Sequence, residues 1–93
     1  MSPRVSVIIP CYNSEKFIED SVNSALMQDY ANTEVIAIDN ESTDSTFQIL
    51  QRMKEDNPKI VIDTAKNIYP NCWDEGRRRA YEIMTGEYFT VIG

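Results

Sequence analysis

The sequence contains no histidine, only two cysteines and only three glycines, and each of these shortages excludes a kind of site. Cys11 and Cys72 lie far apart and form no CxxC pair, so a zinc site built from this chain alone is not expected. Both thiols are expected to be free and reduced. Neither GxxxxGK(S/T) nor GxGxxG occurs, which excludes a P-loop and the dinucleotide-binding fingerprint.

Basic residues and long apolar runs are also scarce. The 93 residues carry 9 basic against 15 acidic side chains, and the net charge of −6 argues against non-specific binding of nucleic acid. No stretch approaches the roughly 20 apolar residues of a membrane-spanning helix. The start, "MSPRVSVIIP", lacks the apolar region and the cleavage site of a signal peptide. We therefore expect a cytoplasmic protein without nucleic-acid partners, and an association of the full-length protein with the cytoplasmic face of a membrane stays open.

The apolar pattern predicts a single domain in which strands and helices alternate. The predicted elements are a strand at 4–10, a helix that begins near Asn13 or Ser14 and runs to Asp29, a strand at 34–39, a helix that ends before Pro58, a strand at 59–63, a long loop at 64–76, a helix at 77–84 and a strand at 87–92. Near-continuous apolar strands are typical of a sheet that is covered on both faces. The fold class is therefore predicted as α/β, with an open, mainly parallel four-stranded sheet and helices on both faces, in a Rossmann-like arrangement.

Polar loops follow the first two predicted strands, at the edge where open parallel sheets bind ligands. These loops are "PCYNS" and "DNESTDS", and they are expected to adjoin each other in space. Ser and Asp are favoured helix caps, so Asp44 is predicted to cap the second helix while Ser42 closes the loop. Asp39 and Asn40 then stay as candidates for holding a ligand.

The stretch "VSVIIPCYNSEKFIEDSVNSALMQDYANTEVIAIDNESTDST" resembles the start of the family 2 glycosyltransferases of the GT-A fold. Their pattern is an apolar strand, Pro-x-Tyr-Asn, a helix, Gln, a Glu before the second strand, and Asp-Asp-Gly-Ser-x-Asp-x-Thr. The later "RRRAYEIMTGEYFTVI" resembles the stretch before that family's metal motif. The resemblance implies that residues 1–93 are the sugar-nucleotide-binding part of a GT-A domain, truncated before the metal motif. It also implies transfer of a sugar from a nucleotide-diphosphate sugar to a saccharide or lipid-linked acceptor, as in polysaccharide biosynthesis.

The resemblance also implies a set of nucleotide-binding residues. Pro10 and Tyr12 match the loop that flanks the base, and Asn13 matches the residue that braces that loop. A tyrosine face suits this task because base stacking contributes about 1–3 kcal/mol with any base. Arg77 matches an arginine whose guanidinium can face the diphosphate or the base edge, with a surface salt bridge as the alternative. Its neighbour Arg79 is expected to be solvated.

The chain departs from the family pattern at two positions of the second loop. Asp39 matches the first acid of the family's acidic pair, but Asn40 stands where the second acid usually accepts a hydrogen bond from a uracil imide. Asparagine can still accept through its oxygen, without the assistance of charge, so we expect a base preference that is broadened or shifted among UDP, dTDP and GDP. Glu41 replaces a glycine, which implies either a backbone without positive φ or a strained one.

The resemblance implies a divalent cation, Mg²⁺ or Mn²⁺, for the full-length enzyme, with its ligands beyond Gly93. No catalytic residue and no metal ligand can be assigned in these 93 residues, and the chain alone is expected to be inactive. We also expect self-association through an exposed sheet edge at 87–92. The alternative is a non-enzymatic, flavodoxin-like binding or regulatory domain, which is disfavoured because no acid follows the first strand before Glu15.

Overall fold

Seven elements alternate along the chain in the computed structural model, which describes residues 3–27, 32–66 and 72–92 and, of residues 72–74, the backbone only. They are β1 (Val5–Cys11), α1 (Ile18–Leu26), β2 (Thr33–Asp39), α2 (Thr46–Asp56), β3 (Ile60–Thr64), α3 (Cys72–Ile83) and β4 (Tyr88–Val91). The predicted order of strands and helices is confirmed. Within the described ranges, no helix is both long and apolar enough to cross a membrane.

The four strands form one sheet in the order β3-β2-β1-β4, and all three pairings are parallel. The chain moves outward from β1 to β3 and then returns to the opposite side of β1, so the strand order reverses there. Cys11 lies opposite Asp39, and Asp39 lies opposite Thr64, which aligns the carboxyl ends of the first three strands. This edge is where ligands bind in open α/β sheets.

Successive residues of the central strands face opposite sides of the sheet, because side chains alternate along a strand. On one side Val7, Ile9 and Val35 pack with buried residues of α1 and α2. On the other side the core contains Ile8, Ile36, Ile38 and Ala80 of α3. Helices therefore cover both faces, and the predicted α/β fold class is confirmed.

The first helix begins at Ile18 and not near Asn13 or Ser14 as predicted. Asn13 has a φ of 46°, which is incompatible with a right-handed helix, and its polar atoms bond to another loop. Phe17 takes the N-cap position without a side-chain cap bond. The predicted end of this helix, at Asp29, lies outside the described residues.

The end of β1 and the start of the third helix also differ from the prediction, and the other strand bounds differ by at most one residue. β1 continues past Pro10 to Cys11, because the Cys11 carbonyl still accepts a hydrogen bond from Asn40 N–H, 2.8 Å away. The third helix begins at Cys72 and not at Arg77, so part of the predicted long loop is helical. Residues 67–71 of that loop lie outside the described part of the chain.

Glu34, the second residue of β2, holds the turn that returns the chain to β4. Its Oε2 accepts hydrogen bonds from Ser6 Oγ (2.5 Å), Thr85 N–H (2.7 Å) and Gly86 N–H (3.1 Å), and the residue is only 6% exposed. Burial acts to raise the pKa of this carboxyl, but the hydrogen bonds from Ser6 and Thr85 outweigh it and hold the pKa below its ordinary value. The carboxylate therefore fixes the connection between α3 and β4.

Candidate functional site

Two loops meet beyond the carboxyl ends of β1 and β2. We call residues 12–17 the first loop and residues 40–45 the second loop. Because β1 and β2 are parallel neighbours that end at the same level, the two loops begin side by side.

Asn13 joins the two loops. Its backbone N–H donates to Ser42 Oγ (2.9 Å), and its side-chain Oδ1 accepts from the N–H groups of Thr43 (2.8 Å) and Asp44 (3.3 Å). Asparagine is one of the few residues that adopt a positive φ readily, which suits the value of 46° here. The carboxamide oxygen of Asn13 is therefore used in bracing one loop against the other.

Two acids connect the starts of α1 and α2. Asp44 accepts from Thr46 N–H (2.9 Å) and from Glu15 N–H (3.2 Å), and Glu15 in turn accepts from Ser45 N–H (3.1 Å). Asp44 thus caps α2 as predicted, from one position before the N-cap residue Ser45. Desolvation acts to raise the pKa of Asp44, but the bonds from Thr46 and Glu15 outweigh it and lower the pKa.

Asp39 is directed at its own loop. It is 4% exposed, and its two carboxylate oxygens accept from the hydroxyl and the N–H of Ser42, the latter at 3.3 Å. Ser42 closes the second loop, as predicted. Its hydroxyl is held between Asp39 and the backbone of Asn13.

Asn40 is fully buried beneath α3. Its backbone N–H and its Nδ2 both donate to the Cys11 carbonyl, at 2.8 Å and 3.1 Å. Its Oδ1 finds no hydrogen-bond partner among the residues that the structure describes. Gly76 lies directly against it, since an added Cβ there would be 3.1 Å from both amide atoms and 3.2 Å from Pro10 Cβ. A glycine in α3 therefore permits the close approach of this helix to Asn40.

Tyr12 is half-buried at the end of β1, between Cys11 and Asn13. It borders a cleft of about 340 Å³ that also includes Pro10, Phe17 and Ile92. Phe17 is 69% exposed at the rim of this cleft. Tyr12 thus borders an open cleft that is lined by both apolar residues and serines, Ser14 and Ser21.

The arginines of α3 differ from one another. Arg77 is exposed on the helix. Arg79 was expected to be solvated, and 42% of its side chain is exposed. It is half-buried and bonds through Nε and Nη2 to Asp63 at the end of β3, at 2.8 Å and 2.7 Å, and through Nη1 to Glu82 at 3.1 Å. Arg79 therefore ties α3 to the sheet.

Cys11 is buried and chemically inert. Burial raises the pKa of its thiol to about 12, and the negative charges of Asp39 and Asp44 add to this effect. The thiol stays protonated at neutral pH and is free, as expected. The side chain of Cys72 lies outside the described part of the structure. The described ranges contain no group of three or more acidic or cysteine side chains that could hold a metal ion.

Glu41 has a φ of 58°, so the second of the two alternatives for this position, a strained backbone, is the correct one.

Five of the predicted site residues are brought together at one edge of the sheet. They are Pro10, Tyr12, Asn13, Asp39 and Asn40. Two contributors were missed by the sequence analysis. Gly76 carried no signal because a lone glycine reads as a loop residue. Glu15 was placed in the first turn of a helix, and its contact with Ser45 crosses between loops about 30 positions apart.

Known proteins are similar to this chain in sequence and in fold. The model of "Glycosyl transferase family 2" matches residues 6–93. A putative teichuronic acid biosynthesis glycosyltransferase, TuaG, of Bacillus subtilis is 45% identical over 97% of this chain and 35% of its own length. A UDP-Glc:alpha-D-GlcNAc-diphosphoundecaprenol beta-1,3-glucosyltransferase, WfaP, of Escherichia coli is 36% identical over 95% of this chain and 34% of its own length. The chain thus spans about a third of these relatives.

Solved structures agree. A mannosyltransferase, PcManGT, of Pyrobaculum calidifontis in complex with GDP-Man and Mn²⁺ has a TM-score of 0.80 and 29% identity, covering 98% of this chain and 28% of its own. TarS 1-349 of S. aureus in complex with UDP has a TM-score of 0.77 and 29% identity, covering 96% and 26%. The fold is that of part of a GT-A glycosyltransferase. The chain belongs to glycosyltransferase family 2, which decides against the flavodoxin-like alternative.

Proposed function

We propose that the chain binds the nucleotide half of a nucleotide-diphosphate sugar, and that the whole protein transfers the sugar to a saccharide or lipid-linked acceptor. The observation that carries this proposal is the meeting of Tyr12, Asn13, Asp39 and Asn40 where β1 and β2 end. Tyr12 offers an aromatic face at a cleft, and Asn13, Asp39 and Asn40 place hydrogen-bonding groups at the same edge of the sheet, a combination that suits a nucleobase.

In the proposed arrangement Tyr12 stacks on the base and Pro10 lies at the base edge. Arg77, exposed on α3, would approach the diphosphate, where a planar guanidinium matches phosphate oxygens. Asn13 and Asp39 support the site, because their described hydrogen bonds hold the two loops in place.

Asn40 supports a preference for bases that carry a ring N–H. One N–H of its Nδ2 is taken by the Cys11 carbonyl, while Oδ1 has no hydrogen-bond partner among the described residues and can accept from a ligand. An acceptor suits the imide N–H of uracil and thymine and the N1–H of guanine, but it opposes the N3 acceptor of cytosine. Because Asn40 is fully buried, this contact requires a small shift of α3 away from the amide.

Binding of nucleoside diphosphates by the 93-residue chain, measured by isothermal titration calorimetry, tests the proposal. We expect UDP, dTDP and GDP to bind and CDP to bind more weakly. Tyr12→Ala should weaken binding of all of them about 5- to 150-fold, the loss that one stacking partner worth about 1–3 kcal/mol produces. Tyr88→Ala, which removes a ring at the start of β4, should leave the affinities unchanged.

The outcome for Asn40 separates base reading from simple packing. Asn40→Asp restores the family's acid, and a charge-assisted bond to a ring N–H should strengthen binding of UDP, dTDP and GDP relative to CDP. A preference for UDP over CDP that is the same in the wild type and in Asn40→Asp would contradict the role of Asn40. A chain that binds none of the four nucleotides would contradict the function itself.

We propose that the full-length enzyme uses Mg²⁺ or Mn²⁺. A similar mannosyltransferase structure contains Mn²⁺ together with its sugar nucleotide. A divalent cation stabilises the diphosphate leaving group. The described residues do not offer a ligand set for such an ion, so its ligands are proposed to lie beyond Gly93.

The acceptor is proposed to be a saccharide or a lipid-linked saccharide. Two relatives are named for transfer to undecaprenol-linked saccharides. Such acceptors are anchored in a membrane, so we propose that the whole protein works in the cytoplasm, at the cytoplasmic face of the membrane.

The outer edge of β4 supports a proposal of self-association. β4 pairs with β1 on one side, and no described strand pairs with its other side, while Tyr88, Phe89 and Val91 are 62%, 48% and 36% exposed. An unpaired, apolar edge is a template for pairing with a second copy. Light scattering should therefore show an average mass that rises with concentration.

Val91→Lys is expected to restore a monomer, since a lysine on an edge strand opposes pairing. Thr64→Lys places the same charge at the end of the other edge strand, β3, and should not change the association. A wild-type chain that stays monomeric at all concentrations would rule this interface out.

A further inference from the structure

Both chain neighbours of Tyr12 are held by the second loop. On one side the Cys11 carbonyl accepts two hydrogen bonds from Asn40, at 2.8 Å and 3.1 Å. On the other side Asn13 N–H donates to Ser42 Oγ at 2.9 Å. The backbone that carries the Tyr12 ring is therefore fixed at both ends by residues about 30 positions further along the chain.

Ser42 can accept from Asn13 N–H only while its own hydroxyl hydrogen points away from that N–H. A hydroxyl has one hydrogen and two lone pairs. The Asp39 carboxylate, which only accepts, takes the hydrogen, so a lone pair faces Asn13 N–H. Asp39 is 4% exposed and accepts a second bond from Ser42 N–H, which fixes the carboxylate itself. The three residues form a directed relay from Asp39 through Ser42 to Asn13.

The relay acts on a left-handed backbone conformation. Asn13 has a φ of 46°, a conformation that persists where surrounding contacts determine it. If the bond from Asn13 N–H is lost, the backbone next to Tyr12 loses one of its supports and the ring is positioned less tightly, while the bonds from Thr43 and Asp44 to Asn13 Oδ1 remain. Holding an aromatic side chain in its binding position in advance lowers the entropy cost of association.

We propose that Ser42, oriented by Asp39, is a positioning residue that presets the Tyr12 ring for stacking, and that neither Ser42 nor Asp39 contacts the nucleotide. This inference rests on the proposed function. It changes the role of Asp39 from a ligand contact to a support. Because stacking does not depend on the identity of the base, the effect of the relay is the same for every nucleotide that binds.

A double-mutant cycle on the 93-residue chain tests the relay, with affinities for UDP and GDP measured by calorimetry. Ser42→Ala should weaken both nucleotides equally, by about 3- to 10-fold. In a Tyr12→Ala background, Ser42→Ala should have less than about a 2-fold further effect. Ser42→Thr keeps the hydroxyl and should restore wild-type affinity.

Two further variants keep the test sharp. Asp39→Asn has the same shape but can donate to Ser42 Oγ. The hydroxyl hydrogen of Ser42 is then no longer held away from Asn13 N–H, so this variant should reproduce the loss of affinity seen with Ser42→Ala. Ser45→Ala is the matched control, because the Ser45 side chain makes no cap bond and is exposed. The ring protons of Tyr12 should shift upfield on addition of UDP in the wild type, and less so in Ser42→Ala.

The outcomes distinguish the relay from the function beneath it. If the wild type binds nucleotides but Ser42→Ala lowers the affinity as much in the Tyr12→Ala background as in the wild type, the relay is wrong and the proposed function stands. The relay is also wrong if Ser42→Ala lowers the affinities for UDP and GDP by different factors. It is wrong as well if Ser42→Ala and Asp39→Asn bind nucleotides as tightly as the wild type does. A wild-type chain that binds no nucleotide overturns the proposed function, and the relay with it.

Discussion

Glu34→Ala is expected to lower the free energy of unfolding by about 3–5 kcal/mol, the usual cost of removing a buried charged partner. The carboxylate accepts from Ser6 Oγ and from the N–H groups of Thr85 and Gly86. Alanine removes the carboxylate that these three donors share, at a residue that is only 6% exposed. The total stability of a chain of this size is about 5–14 kcal/mol, so the loss is a large share. Urea denaturation followed by circular dichroism measures it.

The same contacts predict a dependence on pH. The pKa of Glu34 is lower in the folded state than its ordinary value of 4.5, so the folded state favours the ionised form. The stabilisation is therefore complete above about pH 4.5 and is lost as the pH falls through the folded pKa. The difference in stability between the wild type and Glu34→Ala should narrow in acid.

Glu55→Ala is the matched control, because Glu55 is an exposed glutamate on α2. Its effect should stay within about 0.5 kcal/mol. Glu34→Gln keeps one acceptor without charge and should fall between the wild type and Glu34→Ala. Equal stabilities for Glu34→Ala and Glu55→Ala would show that the carboxylate does not fix the turn before β4.

The fold could be predicted from the sequence because its signals are local. The runs at 4–10 and 34–39 are largely apolar, as expected of strands in a sheet that is covered on both faces. The helix repeats are equally local, so the order of elements followed. The helix starts failed for the opposite reason. Asn13 and Ser14 look like caps, yet their bonds reach Ser42, Thr43 and Thr46, which a local pattern does not contain.

The candidate site was also predictable only in part. Its location followed from the strand ends, and Tyr12, Asp39 and Asn40 are placed there. The direction of each side chain did not follow, since Asp39 faces Ser42 and the Nδ2 of Asn40 faces the Cys11 carbonyl. Which atom of a polar side chain stays available depends on partners far along the chain, and one sequence does not show them.

Gly86→Ala is expected to destabilise the fold by about 3 kcal/mol, at the upper end of the cost of overpacking. A Cβ at Gly86 would lie 2.8 Å from Ser6 N and 3.0 Å from Arg4 O, and closer still to Ser6 Oγ. Two of these neighbours are backbone atoms of the chain around β1, which is anchored in the sheet, so they cannot move aside as a flexible side chain does. The change also displaces Gly86 N–H from Glu34.

Gly76→Ala is the control for this prediction, because the closest atoms to its added Cβ, at 3.1–3.2 Å, belong to the side chains of Asn40 and Pro10. Those can shift by a few tenths of an ångström, and alanine in α3 gains up to about 1 kcal/mol of helix propensity over glycine. Chemical denaturation should therefore place Gly76→Ala within about 1 kcal/mol of the wild type and Gly86→Ala well below it. The reverse order would mean that α3, and not the turn at Gly86, is the tighter contact with the sheet.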